Sequence, residues 1–162
     1  MKTLEIYTDG SHLDKLKGGR LGCGGVLIDP QGNGMGTRVN SFSLELTPEH
    51  LRNEIGTAEV SNPTAEMLGC LEALRQFKSD LRGAGEVTIY ADYNGVKFFN
   101  EGKWKCKEVY IAKIKDMISQ EIAQQGLKGR VRFEWVKGHQ SKSIMSREAY
   151  WNRIVDSLAK GE

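Results

Sequence analysis

The sequence is poor in the features that mark secreted, membrane-spanning and zinc-bound chains. Its 162 residues include three cysteines, Cys23, Cys70 and Cys106. They are odd in number, far apart and never in a CxxC pair, so neither a disulfide framework nor a zinc site is supported. This usage fits a reducing, intracellular setting, and a cytoplasmic protein is expected. The N-terminal residues Met1-Lys2-Thr3-Leu4-Glu5 lack the apolar stretch of a signal peptide. No apolar run approaches the length of a membrane span, so no membrane partner is expected. Internal repeats and low-complexity tracts are also missing.

What is there resembles an ordinary globular chain. Apolar residues make up 39% and charged residues 27%, close to average usage, and the length suits one domain over residues 1–162 with a core that needs no disulfide. The net charge of +2 hides an asymmetry. From Asp29 to Asp92 there are five Lys/Arg against ten Asp/Glu, net −5; from Tyr93 to Lys142 there are eleven against five, net +6. Such a division suits a polyanion footprint beside a carboxylate cluster, although scattered surface charge gives the same count.

Periodicity orders the chain. Thr3–Thr8 alternates as a strand, Gly22–Ile28 is a second and Thr37–Leu44 a third, the last two joined by the turn residues 29–34. In the segment Thr47–Ser61, Thr47 and Pro48 offer a helix start, and the segment reads as an insertion of uncertain structure. A helix follows, with Asn62 as its cap and Pro63 in its first turn, carrying Met67, Cys70, Leu71, Leu74 and Phe77 at helical spacing. Val87–Ala91 suits a buried strand. A short helical piece over Asn94–Phe99 and a long helix over Glu108–Gln125 come next, the latter ended by Gly126. Val131, Phe133 and Trp135 alternate in a fifth strand, and Ser146–Lys160 forms the last helix. A three-strand meander followed by αβαβα units predicts an α/β fold with a five-stranded mixed sheet flanked by helices.

Four acids stand out on this frame. Asp9 follows the first strand, with Gly10 offering a sharp turn, and Asp92 ends the fourth. If those strands are parallel neighbours, both carboxylates emerge at the sheet edge where α/β folds place ligands. Glu66 is expected in the first turn of its helix. Asp156 and Asn152, four apart, share a face of the last helix, while Trp151, Ile154, Val155 and Leu158 turn toward the sheet. Acids converging without basic partners repel one another, and divalent cations relieve the repulsion. Oxygen ligation without His or Cys favours Mg2+ or Mn2+ over zinc. Two such ions about 4 Å apart form the clamp for in-line phosphoryl transfer. Singly, each acid has a plainer role: Asp9 a turn residue, Glu66 a partner of the helix dipole, Asp92 a cap, Asp156 a solvent-facing acid. The chemical reading rests on the set.

The pieces Thr8-Asp9-Gly10-Ser11, Gly22-Cys23-Gly24-Gly25, Asn62-Pro63-Thr64-Ala65-Glu66-Met67, Ala91-Asp92-Tyr93-Asn94-Gly95-Val96, Trp135-Val136-Lys137-Gly138-His139, and Asn152 with Asp156-Ser157-Leu158-Ala159 occur in one order over nearly the whole chain. Together they resemble ribonuclease H of type 1. The resemblance implies a ribonuclease H-like fold and hydrolysis of the RNA strand of RNA–DNA hybrids. It also implies two Mg2+ ions, and products with 5′-phosphate and 3′-hydroxyl ends. By position Asp9, Glu66, Asp92 and Asp156 match the metal-binding carboxylates. His139 matches a loop histidine that assists proton transfer or product release, and an imidazole of pKa about 6.5 can carry a proton at neutral pH. Asn62 and Asn94 resemble residues that contact the minor groove, Asn152 joins the substrate-binding set, and the backbone of Gly22, Cys23 and Gly24 resembles a ribose-contacting turn. Sugar and phosphate contacts suit an enzyme that reads hybrid shape, the 2′-hydroxyls marking the RNA strand. The glycines there fit either close substrate approach or tight packing on a neighbouring strand.

The chain departs from the family pattern at four places. The segment 47–61 is longer, the loop Gln140–Tyr150 is extended, Pro63 replaces an expected polar residue, and the basic protrusion is reduced to Lys103-Trp104-Lys105-Cys106-Lys107. Lysines around a tryptophan suit the phosphates of the DNA strand, or an ordinary basic turn with Trp104 buried. No separate hybrid-binding domain is evident, and a monomer is expected. The start at Met1 immediately before the first strand favours a free-standing protein over a detached reverse-transcriptase domain, although a cloned fragment would look the same. Other readings are a resolvase- or transposase-like DNA nuclease and a non-catalytic binding module, which should have lost an acid. Changing Lys103, Lys105 and Lys107 to Ala should raise KM for a hybrid more than it lowers kcat and make KM less sensitive to salt; an unchanged salt slope would remove the patch from the footprint.

Overall fold

The computed structural model describes residues 2–12, 21–31, 34–59, 61–137 and 146–162. Among them the elements run β1 (Thr3–His12), β2 (Leu21–Asp29), β3 (Thr37–Leu46), α1 (Pro48–Ile55), α2 (Asn62–Gln76), β4 (Glu86–Ala91), α3 (Asn94–Asn100), α4 (Val109–Gln124), β5 (Val131–Trp135) and α5 (Arg147–Ala159). The strands form one sheet in the order β3-β2-β1-β4-β5. β1 pairs antiparallel with β2 and parallel with β4, and β4 pairs parallel with β5. This is the mixed five-stranded α/β sheet that the element order predicts.

Helices cover both faces unequally. α2 lies against β1 and β2 with α4 packed over it. Its run from Thr64 to Leu74 is buried all round, so it reads as a core helix and not an amphipathic one. Leu4, Ile6, Leu27, Leu68, Leu71, Val87, Ile89 and the Ile111, Ile114 and Ile118 stripe of α4 fill this main core. On the other face α5 buries a smaller cluster, Tyr7, Val26, Ile28, Trp151 and Val155. Polar bonds fasten α5 as well. Trp151 Nε1 donates to the Met35 carbonyl at 2.7 Å and Ser43 Oγ to the Leu158 carbonyl at 2.6 Å. Arg147, the first residue of α5, pairs at 2.8 Å with Glu5, which is buried in β1 and also accepts from Tyr7.

Several local expectations need correction. β1 does not end at Thr8 but continues to His12, because Asp9 to His12 stay paired with Gly24 to Leu21. Gly10 is therefore inside a strand and makes no turn. Its smallness has another cause: a Cβ there would overlap the Ala65 carbonyl of α2, and a Cβ on Gly69 would lie 2.8 Å from the Asp9 carbonyl. Two glycines thus let α2 cross β1 at backbone contact. α2 is capped by Ser61, whose hydroxyl accepts from Thr64 N at 3.3 Å, so Asn62 is the first helical residue and Glu66 falls in the second turn. Within 47–61, α1 is an ordered helix. Thr47 caps it through His50 N, Leu51 and Ile55 are buried, and Gly56 closes it in the left-handed region at φ 87°. At the far end of the extended loop, Ser146 caps α5 and residues 147–150 are its first turn.

Gly10→Ala should force α2 off the sheet. We expect a loss of about 3 kcal/mol in urea unfolding; a loss below about 0.5 kcal/mol would mean the helix retreats freely.

Candidate active site

Backbone contact between α2 and β1 sets Glu66 beside Asp9, and the parallel pairing of β1 with β4 brings Asp92 to the same sheet end. Ligand oxygens of Asp9, Glu66 and Asp92 lie within 4.8 Å of one another. Asp9 and Glu66 are buried, at 4% and 5% exposure, which is unusual for charged groups. Gly10 N donates to Asp9 Oδ1 at 3.1 Å. Asp92 sits just past β4, and its carbonyl accepts from Trp135 Nε1 at 3.0 Å while Val136 N donates to the Ala91 carbonyl at 2.9 Å. Trp135, the last residue of β5, and Val136 just beyond it thus fix the turn that carries Asp92.

Asp156 arrives from the opposite face on α5. It lines the same cleft as Asp9, Asn62, Glu66, Asp92 and Tyr93. Gly22 and Gly24 admit that helix: a Cβ on Gly22 would overlap the Ala159 carbonyl, and one on Gly24 would lie 2.7 Å from Ala159 N. Their smallness therefore serves packing against a helix, not against a neighbouring strand, and substrate approach is not needed to explain it. Cys23 is fully buried, so its side chain meets no substrate. The expectation of acids without basic partners also fails at one point. Lys160, one helical turn on, pairs with Asp156 at 3.0 Å, with both side chains near half exposed.

Electrostatics at the centre are unfavourable as built. Burial, the largest influence, pushes the Asp9 carboxyl well above the usual carboxylate range; a hydrogen bond with Glu66 opposes the shift, and the charges of Asp92 and Asp156 add to it. Burial and then the charge of Asp9 raise Glu66 likewise. Glu66 Oε2 is buried and has no hydrogen-bond partner among the described residues. A buried carboxylate oxygen without a donor is costly, and a cation held by the three acids would supply what it lacks. The all-oxygen donor set fits a hard divalent ion.

The remaining predicted residues are dispersed. Asn62 is exposed at the cleft. Asn94 and Asn152 are half-buried near Asp92 and Asp156 in the chain, but neither lines the cleft. Lys103, Trp104 and Lys105 lie on the α3–α4 connection outside it. Lys103 pairs with Glu101 at 3.3 Å, and Trp104, 39% exposed, packs on Phe98 and Phe99. Trp104 is thus neither free nor buried. His139 lies outside the described residues. Sequence reasoning missed Tyr93, Trp135 and Lys160. Only Lys160 left a signal, its spacing of four from Asp156.

A buried acid cluster at the carboxyl end of two parallel strands is the kind of centre that holds divalent metal for phosphoryl chemistry. A family profile described as RNase H matches residues 1–162, and the chain belongs to the ribonuclease H family, which makes it a nuclease of that class. Solved structures agree in fold. Ribonuclease H1 of the halophilic archaeon Halobacterium salinarum is 17% identical with a TM-score of 0.68, over 98% of this chain and 95% of that one. LC11-RNase H1, isolated from compost and solved in complex with an RNA/DNA hybrid, is 19% identical with a TM-score of 0.71, over 98% and 94%. The N-terminal RNase H domain of a Mycobacterium tuberculosis protein is 21% identical with a TM-score of 0.68, over 99% and 93%. Among curated proteins, none is similar enough to match. No described helix is long and apolar enough to cross a membrane.

In the unfolded chain Asp9 and Glu66 titrate near pH 4, whereas the folded metal-free protein holds their protons to higher pH. The native state then binds more protons than the unfolded one, so stability falls as pH rises above about 4 through the raised values. Thermal unfolding in EDTA should show this decline, with added Mg2+ reversing it. At pH 8 in EDTA, Asp9→Asn should melt higher than the parent by on the order of 5 °C and gain nothing from Mg2+. A lower melting temperature for the variant would contradict the repulsion.

Proposed function

We propose that the protein is an endoribonuclease that hydrolyses the RNA strand of RNA–DNA hybrids, leaving 5′-phosphate and 3′-hydroxyl ends. The observation that carries this reading is the cluster of buried Asp9 and Glu66 with half-buried Asp92, and its unsatisfied Glu66 oxygen. Asp9, Glu66, Asp92 and Asp156 would hold two Mg2+ ions, with Mn2+ as a substitute. Bound there, the ions supply charge neutralisation for the attacking and leaving oxygens of an in-line displacement.

This chain's own residues would do the rest. The acids would hold the ions at the cleft, and Trp135 holds the Asp92 backbone steady. Asp156, only half-buried and paired with a mobile type of side chain in Lys160, is the acid best able to exchange partners as substrate enters. His139 would carry a proton to or from the leaving group or aid product release. Asn62, exposed at the cleft, would contact the minor groove together with Asn94 and Asn152; the backbone of Gly22, Cys23 and Gly24, buried beneath α5, would not. Lys103, Trp104 and Lys105 would take DNA-strand phosphates; no ion pair is found for Lys105 among the described residues. A single domain over 1–162, acting as a monomer in the cytoplasm, completes the reading.

The test is cleavage of labelled RNA–DNA, RNA–RNA and DNA–DNA duplexes, with the hybrid repeated in EDTA. We expect cleavage confined to the RNA strand of the hybrid and lost in EDTA, and a fall of at least about 10³-fold in kcat for Asp9→Asn. Cleavage of DNA would replace the reading with a resolvase-like one, and near-normal turnover by Asp9→Asn would sink the metal assignment.

A further inference from the structure

Tyr93 stands between Asp92 and α3, where a capping side chain is expected, yet it makes no capping hydrogen bond. Its side chain instead lines the cleft with Asp9, Asn62, Glu66 and Asp92. A Cβ on Gly95 would overlap ring atoms of Tyr93 and its hydroxyl oxygen. The ring therefore rests directly on the Gly95 backbone, in a berth that only glycine leaves open. The ring is half-buried and packs on the main core, which restricts its movement. Its hydroxyl has no hydrogen bond to any other described residue. A phenol, with an ordinary pKa of about 10, is a proton donor at neutral pH.

An aromatic ring with one polar end, held rigidly beside a metal-type acid cluster, suits a sugar: the face packs on carbon and the hydroxyl bonds a sugar oxygen. The group that separates RNA from DNA at any nucleotide is the ribose 2′-hydroxyl, both donor and acceptor. We propose that Tyr93 is a specificity-determining residue whose hydroxyl hydrogen-bonds a ribose 2′-hydroxyl of the RNA strand lying in the cleft, with Gly95 holding the ring in place. The inference rests on the reading of the cleft as a hybrid-cleaving site. It concerns how the strand is told apart, not how the bond is broken. A site built to bond a hydroxyl discriminates strongly against a ligand without one, because its own polar group is then left unpaired.

The test uses the full chain and hybrids with single 2′-deoxy substitutions walked through the cleavage region. In the parent protein one position should raise KM by about 3- to 10-fold. Tyr93→Phe should raise KM for the all-ribose hybrid by a similar factor, keep kcat within about twofold, and lose the response at that one position. Gly95→Ala, which displaces the ring, should give the same loss of response even if folding is slightly weakened. Mn2+ binding by calorimetry, without substrate, should match the parent in Tyr93→Phe. An unaltered pattern of 2′-deoxy sensitivity in Tyr93→Phe would overturn the assignment, and so would a loss of Mn2+ affinity, which would place the phenol in the metal site instead. Parent protein that neither binds nor cleaves the hybrid would overturn the functional reading and this one together.

Discussion

The backbone contact between α2 and β1 is the constraint on which the site depends. Gly10 and Gly69 remove the two Cβ atoms that would hold helix and strand apart, and the helix then sits with Ala65 against Gly10 and Gly69 against Asp9. That approach puts Glu66 beside Asp9 in a buried place, where neither acid would settle by its own preference. Close helix–sheet packing elsewhere in proteins is a matter of density. Here it fixes the distance between two charges. The parallel β1–β4 pairing adds Asp92 by topology alone, with no comparable steric device.

The centre is stable only in part without its ligand. Burial and mutual repulsion favour protonated acids, so the folded chain stores electrostatic tension that a divalent ion would release. Such tension is characteristic of sites shaped for a charge they do not themselves contain. The rest of the molecule is conventional by contrast: an apolar core on one side of the sheet, a smaller one on the other, and capped helices.

Much of this was legible in the chain. Apolar alternation and helical spacing gave the element order, and the order with the parallel crossover gave the sheet. The acids stood out as a set: Asp92 ends a strand, Glu66 and Asp156 fall on defined helices, and Asp9 was placed at a strand end that the structure carries on to His12. What could not be read were distances across elements. Gly10 looked like a turn residue because sequence shows a glycine's freedom and not what its missing Cβ avoids. Gly22 and Gly24 were open to the same confusion, since the helix they admit lies more than a hundred residues away. Ser61 lost the cap to Asn62 in the sequence reading because both residue types cap well and only the Thr64 N–H decides between them. Tyr93 was hidden by its neighbour Asp92, whose role absorbed the motif.

The two cores do not carry the carboxylates equally. Asp9 and Asp92 belong to the central strands, and Glu66 to a helix buried on every side. Asp156 rides on α5, held by the smaller cluster, two carbonyl bonds, the Arg147–Glu5 pair and the close packing of Ala159 on Gly22 and Gly24. Elements with fewer buried contacts open first, at free energies well below global unfolding. Detachment of α5 would leave the sheet, the α2 core and three of the four acids standing. The molecule would then persist as a folded but incomplete chelator, so that its working range of temperature or denaturant is narrower than its folded range.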